Sequence, residues 1–277
     1  MVKAEIAALL ALPLLLASCS RGLEFKWQKY YVDGHRTGVG VPTADNPEKA
    51  LGVVENGVYK APNGRVFNAG ATPEVASLLI GVQPQMARLK EVVAYAPEAM
   101  ARQRPECALF NFVADRLAAD VQEAVGRRVD VGITNTGGIR VDLPAGDILL
   151  DEVVSMLPFK NYLTYLELKG SDLRAAFEYM ASTRPQCVSG ARLVIKAGKL
   201  ISAEVGGKPL DDSAVYGVGT IDFLLDGGDG FKLARNARKM IITDKKIGDV
   251  ILRDIRKLTA EGKPLQYHVD GRITVEE

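Results

Sequence analysis

Val129-Asp130-Val131-Gly132-Ile133-Thr134-Asn135-Thr136-Gly137-Gly138-Ile139-Arg140 is the stretch on which the reading of the fold turns. Its first half alternates in the period-two manner of a strand. Two glycines follow, where the backbone bends or approaches something closely. Upstream, Leu109, Phe112, Val113, Leu117, Val121 and Val125 recur at helical spacing and Gly126 stops the run, so 108–125 is expected to be a helix. Downstream, 151–156 reads as a short helix and 162–168 as a strand. Lys169-Gly170-Ser171 leads into a helix over 172–181. Strands are expected at 192–195, 200–205, 215–221, 239–242 and near 267–275, with a helix at 247–258. Strands and helices mix without a strict strand–helix–strand rhythm. That predicts an α+β fold, a mixed sheet with packed helices, and argues against a doubly wound parallel sheet.

Ahead of this region the pattern weakens. Asp33-Gly34, Asn46-Pro47, Asn56-Gly57 and Pro62-Asn63-Gly64 are turn signals, so 19–70 reads as an irregular segment with short strands at 26–32 and 66–68. A helix starts at Thr72, an N-cap followed by Pro73 and Glu74, and Pro84 is expected to kink or divide it. Residues 94–107, with Pro97 and Pro105, read as a hinge. The domain proper is therefore taken as 71–277.

The 277 residues are 47% hydrophobic and 25% charged, which excludes disorder, collagen and coiled coil as the main content. A formal charge of +1 gives no reason to expect a nucleic acid partner. No Walker A loop and no Gly-x-Gly-x-x-Gly after a strand occurs. The histidines are His35, read as a loop residue, and His268, read as a structural residue in the last strand. No Cys-x-x-Cys is present, and pairing of Cys107 with Cys187 stays open.

At the amino terminus, 6–17 is an apolar run too short for a bilayer-spanning helix, which needs about 20 residues. It suits the hydrophobic region of a secretory signal. Leu16-Ala17-Ser18-Cys19 resembles the lipobox of bacterial lipoproteins. That resemblance implies a signal peptide over 1–18, a lipidated Cys19 and a chain anchored by its lipid to the bacterial cell envelope, at the outer membrane or the periplasmic face.

Three segments carry ligand-binding chemistry. The first is Asn135 to Arg140, in which glycines allow close approach and a guanidinium fork suits phosphate or carboxylate. The second is Leu157-Pro158-Phe159-Lys160-Asn161, where an aromatic ring stands just before a strand. The third is Asp222-Phe223-Leu224-Leu225-Asp226-Gly227-Gly228-Asp229-Gly230-Phe231, whose glycines hold a carboxylate in a loop. Such a carboxylate accepts hydrogen bonds from a vicinal diol. Taken singly, these segments are ordinary turns, a surface arginine and core phenylalanines. Together they outline a nucleoside or nucleotide pocket, provided they converge in space.

Their order and wording resemble the C-terminal domain of the 5'-nucleotidase / UDP-sugar hydrolase family, over about 102–270. The family pattern reads approximately Asn-x-Gly-Gly-Ile-Arg, then Pro-Phe-x-Asn, then Phe-Leu-x-x-Gly-Gly-Asp-Gly-aromatic. Lys169-Gly170-Ser171-Asp172-Leu173 and Ser189-Gly190 agree as well. The resemblance implies that Phe159 and Phe223 sandwich a base and that Asp229 holds the ribose hydroxyls. It implies that Asn135 touches the base and Arg140 the phosphate side, with Gly137, Gly138 and Gly228 shaping the loops. Glu106, Leu109 and Asn111 match a helix start, which makes Arg102 or Arg104 a further candidate. Phe110 and Thr136 depart from the pattern, each standing where the family usually has glycine.

Full-length members of that family carry a separate dimetal phosphatase domain with Asp-x-His, Gly-Asp-x-x-Asp, Gly-Asn-His-Asp/Glu and His-x-His motifs. None occurs here. The resemblance therefore implies no catalytic residue, metal ligand or cofactor in this chain. It implies a substrate-binding domain that works with a separately encoded metallophosphatase, which would hold the divalent metals, to hydrolyse nucleoside 5'-phosphates. The rival expectations are a non-catalytic nucleoside-binding surface lipoprotein and a self-sufficient hydrolase.

Overall fold

The computed structural model describes residues 37–43 and 45–276. The expectations for the signal peptide, Cys19, the strand at 26–32 and His35 lie outside the described residues. The chain divides after Gly81 into two units.

In the first unit, α1 (Pro47–Leu51) precedes an antiparallel sheet of β1 (Val53–Glu55), β2 (Val58–Lys60) and β3 (Val66–Phe67), in that order, and α2 (Thr72–Gly81) follows. Asn56-Gly57 joins β1 to β2 with both residues at positive φ, the turn whose twist matches a hairpin. Tyr59 is the buried centre of this unit. Its hydroxyl donates to the Leu51 carbonyl at 2.7 Å and its ring stacks on Phe67.

The second unit opens with α3 (Gln83–Met86), so Pro84 lies in a short helix of its own and the division expected there is present. β4 (Val92–Ala96) comes next. Its residues 94–96 are strand where the sequence reads as the start of a hinge, a correction explained by pairing with a later strand. Then come α4 (Ala108–Val125), β5 (Val131–Thr134), β6 (Gly146–Leu149), α5 (Leu150–Met156), β7 (Tyr162–Lys169) and α6 (Gly170–Ser182). After them come β8 (Cys187–Ser189), β9 (Ala191–Lys196), β10 (Lys199–Val205), β11 (Lys208–Pro209), β12 (Val215–Ile221), β13 (Lys239–Lys246), α7 (Ile247–Ala260) and β14 (Ile273–Glu276). The fold is mixed α+β, as the sequence predicts.

The main sheet runs β13-β7-β12-β5-β8. β12 is antiparallel to β7 and parallel to β5, while β8 is antiparallel to β5. A second sheet runs β11-β10-β9-β14, and β4 pairs with β6. α4 lies on the main sheet. Its apolar positions Leu109, Phe112, Val113, Leu117 and Val121 are all buried, together with Val131, Ile133, Leu166 and Val218 of the strands. Each fully buried side chain of this size stabilises by about 1.5–3 kcal/mol. The helix comes close because Gly132 and Gly219, a register pair on β5 and β12, have no Cβ beneath it. A Cβ at Gly132 would stand 2.9 Å from the Ala114 carbonyl oxygen. Cys107 caps α4, its sulfur accepting from the Phe110 N–H at 3.4 Å, and Gly126 ends the helix in the left-handed region. Cys107 and Cys187 are both buried free thiols.

The carboxy-terminal segment corrects the expected strand at 267–275: only Ile273–Glu276 pairs, parallel to β9. The preceding backbone is held by side chains of α4 and its entry. Glu106 accepts from Asn111 Nδ2 at 2.7 Å and from the Asp270 N–H at 2.9 Å, while Asn111 Nδ2 donates to the His268 carbonyl at 3.1 Å. Arg272, itself buried, bonds Asp115, Asp270 and the Val188 carbonyl. His268 thus lies in an irregular connection with its ring stacked on Tyr267.

Candidate functional site

The topology draws the three ligand-type segments to one end of the main sheet. β5 and β12 are parallel, so Asn135 and Asp222 leave the sheet in the same direction. β7 is antiparallel to β12 with Leu163 opposite Ile221, so the Phe159 loop enters at that end too. One side chain ties the last two loops. Asp222 accepts from the Tyr162 N–H at 3.0 Å and from the Phe223 N–H at 2.9 Å.

Asn135 and Asp229 meet directly, Asn135 Nδ2 donating to Asp229 Oδ2 at 2.8 Å. A carboxylate only accepts, so this bond fixes the amide with its oxygen turned away from Asp229. That oxygen is buried and has no partner within the protein among the described residues. Gly138 serves this contact by leaving room, whereas a side chain at Gly137 would only touch it. A Cβ at Gly138 would lie 2.8 Å from Asn135 Oδ1. A Cβ at Gly137 would face Asp229 Oδ2 at 3.6 Å.

Phe159 and Phe223 are about half exposed, at 49% and 44%, which is unusual for phenylalanine and leaves both rings open to a ligand. Among the described residues neither ring stacks on another ring. The Arg140 guanidinium lies 5.9 Å from the centre of the Phe159 ring and donates to the Gly137 carbonyl at 3.2 Å. A narrow cleft between Asn135, Gly138, Leu157, Phe159, Asn161 and Ile221 runs along the sheet end. Gly228 permits the Phe223 turn, because a Cβ there would fall 1.9 Å from the Phe223 carbonyl oxygen.

The two candidate arginines differ. Arg102 is committed to Asp142, with Nε 2.7 Å from the carboxylate, and its hydrogen bond holds the Asp142 carboxyl below the usual range. Arg104 donates from Nη2 to Thr136 Oγ1 at 2.9 Å, and among the described residues no carboxylate is within ion-pair distance of it. Thr136 is held in turn by Gln186, whose side-chain oxygen accepts from both its N–H and its hydroxyl.

Tyr179, whose hydroxyl donates to the Asp229 carbonyl at 3.0 Å, and Gln186 belong to this constellation and carry no signal in the sequence. Each acts through a partner that only folding brings near. Among the described residues no group of three or more His, Cys, Asp or Glu side chains stands where it could hold a metal ion, so a dimetal site does not fit them.

Comparison with known proteins shows the family of the domain. The family model described as "5'-nucleotidase, C-terminal domain" matches residues 85–236. An apyrase from Tabanus yao is 28% identical over 217 residues, 67% of this chain and 38% of that protein. Protein UshA from Escherichia coli (strain K12) is 30% identical over 135 residues, 46% of this chain and 24% of the relative. The crystal structure of a 5'-nucleotidase precursor from Thermus thermophilus superimposes with a TM-score of 0.66 at 27% identity, covering 78% of this chain and 45% of that one. The chain thus spans less than half the length of each of these proteins.

Proposed function

The chain belongs to the 5'-nucleotidase C-terminal domain family, and on that premise we propose that it is the nucleotide-recognition part of a 5'-nucleotidase system. The observation that carries the reading is the Asn135–Asp229 hydrogen bond, set at the sheet end that also bears the open rings of Phe159 and Phe223. A base lies between the two rings, and the free carboxylate oxygen of Asp229 accepts from the ribose hydroxyls. Asn135 presents its amide oxygen to a donor on the base. Arg140 faces the phosphate. Arg104 assists ahead of Arg102, whose charge Asp142 already balances. Hydrolysis is the work of a separately encoded metallophosphatase chain holding divalent metals, to which this chain delivers the bound nucleotide. Positioning of this kind lowers a barrier by several kcal/mol. Both act at the cell envelope, this chain through a lipid on Cys19.

Calorimetric titration of adenosine and its 5'-monophosphate tests the pocket. Both are expected to bind, with Phe159→Ala and Phe223→Ala each weakening affinity by about 1–3 kcal/mol, the worth of one stacked face. Absence of binding to the wild-type chain would overturn the reading. Mixing with the metallophosphatase tests the pairing: phosphate release from the monophosphate should depend on this chain. A phosphatase indifferent to it leaves a nucleoside-binding lipoprotein without a catalytic role.

A further inference from the structure

We propose that Tyr179 is a positioning residue that aims the Asp229 carboxylate, an inference that rests on the diol-binding role given to Asp229 above. Asp229 is a non-glycine residue at φ 48°, ψ 24°, in the left-handed region that side chains other than Asn and Asp rarely adopt. An aspartate enters it at modest cost, so what fixes it there is the set of contacts around it. Here three constraints fix it. Within the loop, the Gly230 N–H donates to the Gly227 carbonyl and the Phe231 N–H to the Gly228 carbonyl, both at 2.9 Å. At the side chain, Asn135 holds one carboxylate oxygen. At the backbone, the Tyr179 hydroxyl donates to the Asp229 carbonyl at 3.0 Å.

The third constraint comes from outside the loop and from a rigid support. Tyr179 stands on α6, and its ring meets Phe231 edge-on at 4.9 Å, so the hydroxyl is fixed by packing as well as by its bond. The loop is shaped to receive it. Gly230, at φ 82°, has its missing Cβ where the Tyr179 oxygen sits, only 1.8 Å from the place that atom would take. Gly230 is therefore required on two counts, backbone angle and space for the phenol. With the carbonyl bound by Tyr179 and one carboxylate oxygen bound by Asn135, rotation about the Asp229 backbone is blocked. The remaining carboxylate oxygen keeps one direction, and a rigid acceptor of this kind loses little freedom when a diol docks on it.

Tyr179→Phe removes the hydroxyl and keeps the ring against Phe231. Two measurements on the full chain decide the matter. The first is calorimetry with adenosine and with 2',3'-dideoxyadenosine, which lacks both hydroxyls. The variant should bind adenosine about three- to tenfold more weakly, the effect of one hydrogen bond, and dideoxyadenosine as the wild type does. The second is hydrogen exchange in the ligand-free protein, where the amides of Gly230 and Phe231 should exchange faster in the variant while those of α4 keep their rates. Equal weakening of both nucleosides would make Tyr179 merely structural and overturn the proposal, as would unchanged adenosine affinity or unchanged exchange. If the wild type binds adenosine and the variant matches it, the proposal alone fails. A wild-type chain that binds neither nucleoside overturns the pocket reading and the proposal with it.

Discussion

Asp120 illustrates how a single side chain sets a pH dependence. It is 1% exposed, pairs through one oxygen with Arg253 and leaves the other oxygen without a partner within the protein among the described residues. Burial disfavours its charge most, the Asp254 carboxylate adds to this, and Arg253 opposes both; the outcome is a carboxyl pushed up to about 6 from 3.8. The folded state therefore holds this proton where the unfolded chain has released it. Stability from this group is greatest at acid pH and is lost as pH rises from 3.8 to about 6. Asp120→Asn should abolish that dependence. Urea unfolding across the window should show the variant gaining on the wild type by on the order of 3 kcal/mol, then running parallel to it above that range. A constant difference at every pH would refute the assignment. The aspartate at position 120 is legible in the sequence only as a polar residue in a helix. Its effect depends on Arg253 and Asp254, residues of another helix.

At the scale of elements, the sequence speaks most clearly where periodicity and burial coincide. The apolar stripe of α4 and the alternation before Asn135 give a helix and a strand because both face one core. Two segments mislead for a common reason, namely that distant groups satisfy their backbone. Residues 94–96 precede Pro97 and read as the start of a hinge, yet they end β4, to which β6 supplies hydrogen bonds. Residues 267–272 have strand-like composition, yet Glu106 and Asn111 bind their backbone instead. The candidate site divides likewise. Its glycine-rich loops and phenylalanines are visible as motifs, whereas Tyr179 lies 50 residues from the carbonyl it holds. The glycine pair under α4 gives a direct test of the packing. Gly132→Ala puts a methyl 2.9 Å from a helix carbonyl and should cost about 1–3 kcal/mol in thermal or chemical unfolding. Gly57→Ala offers a contrast, since nothing lies within 4 Å of a Cβ there and only its positive φ opposes the change. Wild-type stability in Gly132→Ala would mean that α4 does not rest on the strands as described.

On the scale of the whole second unit, a buried cation links what the chain order separates. Arg272 joins the carboxy-terminal segment to Asp115 of α4 and to the Val188 carbonyl of β8. Arg272→Ala leaves Asp115 and Asp270 facing each other without their counter-charge. Both carboxylates keep contact with water, so the expected loss is about 1–3 kcal/mol, chiefly from the Val188 carbonyl left without its donor, read as a lower denaturation midpoint. A change under about 1 kcal/mol would mean that the pair is solvated and of little weight. The same separation governs the candidate site. Asn135 and Asp229 are 94 residues apart, so no fragment holding one of them contains the contact. A ligand gripping both recognises only finished molecules, and mass action then turns occupancy into resistance to unfolding. At a hundredfold excess over its dissociation constant, that gain is about 2.7 kcal/mol, so an occupied chain would outlast an empty one under denaturing conditions.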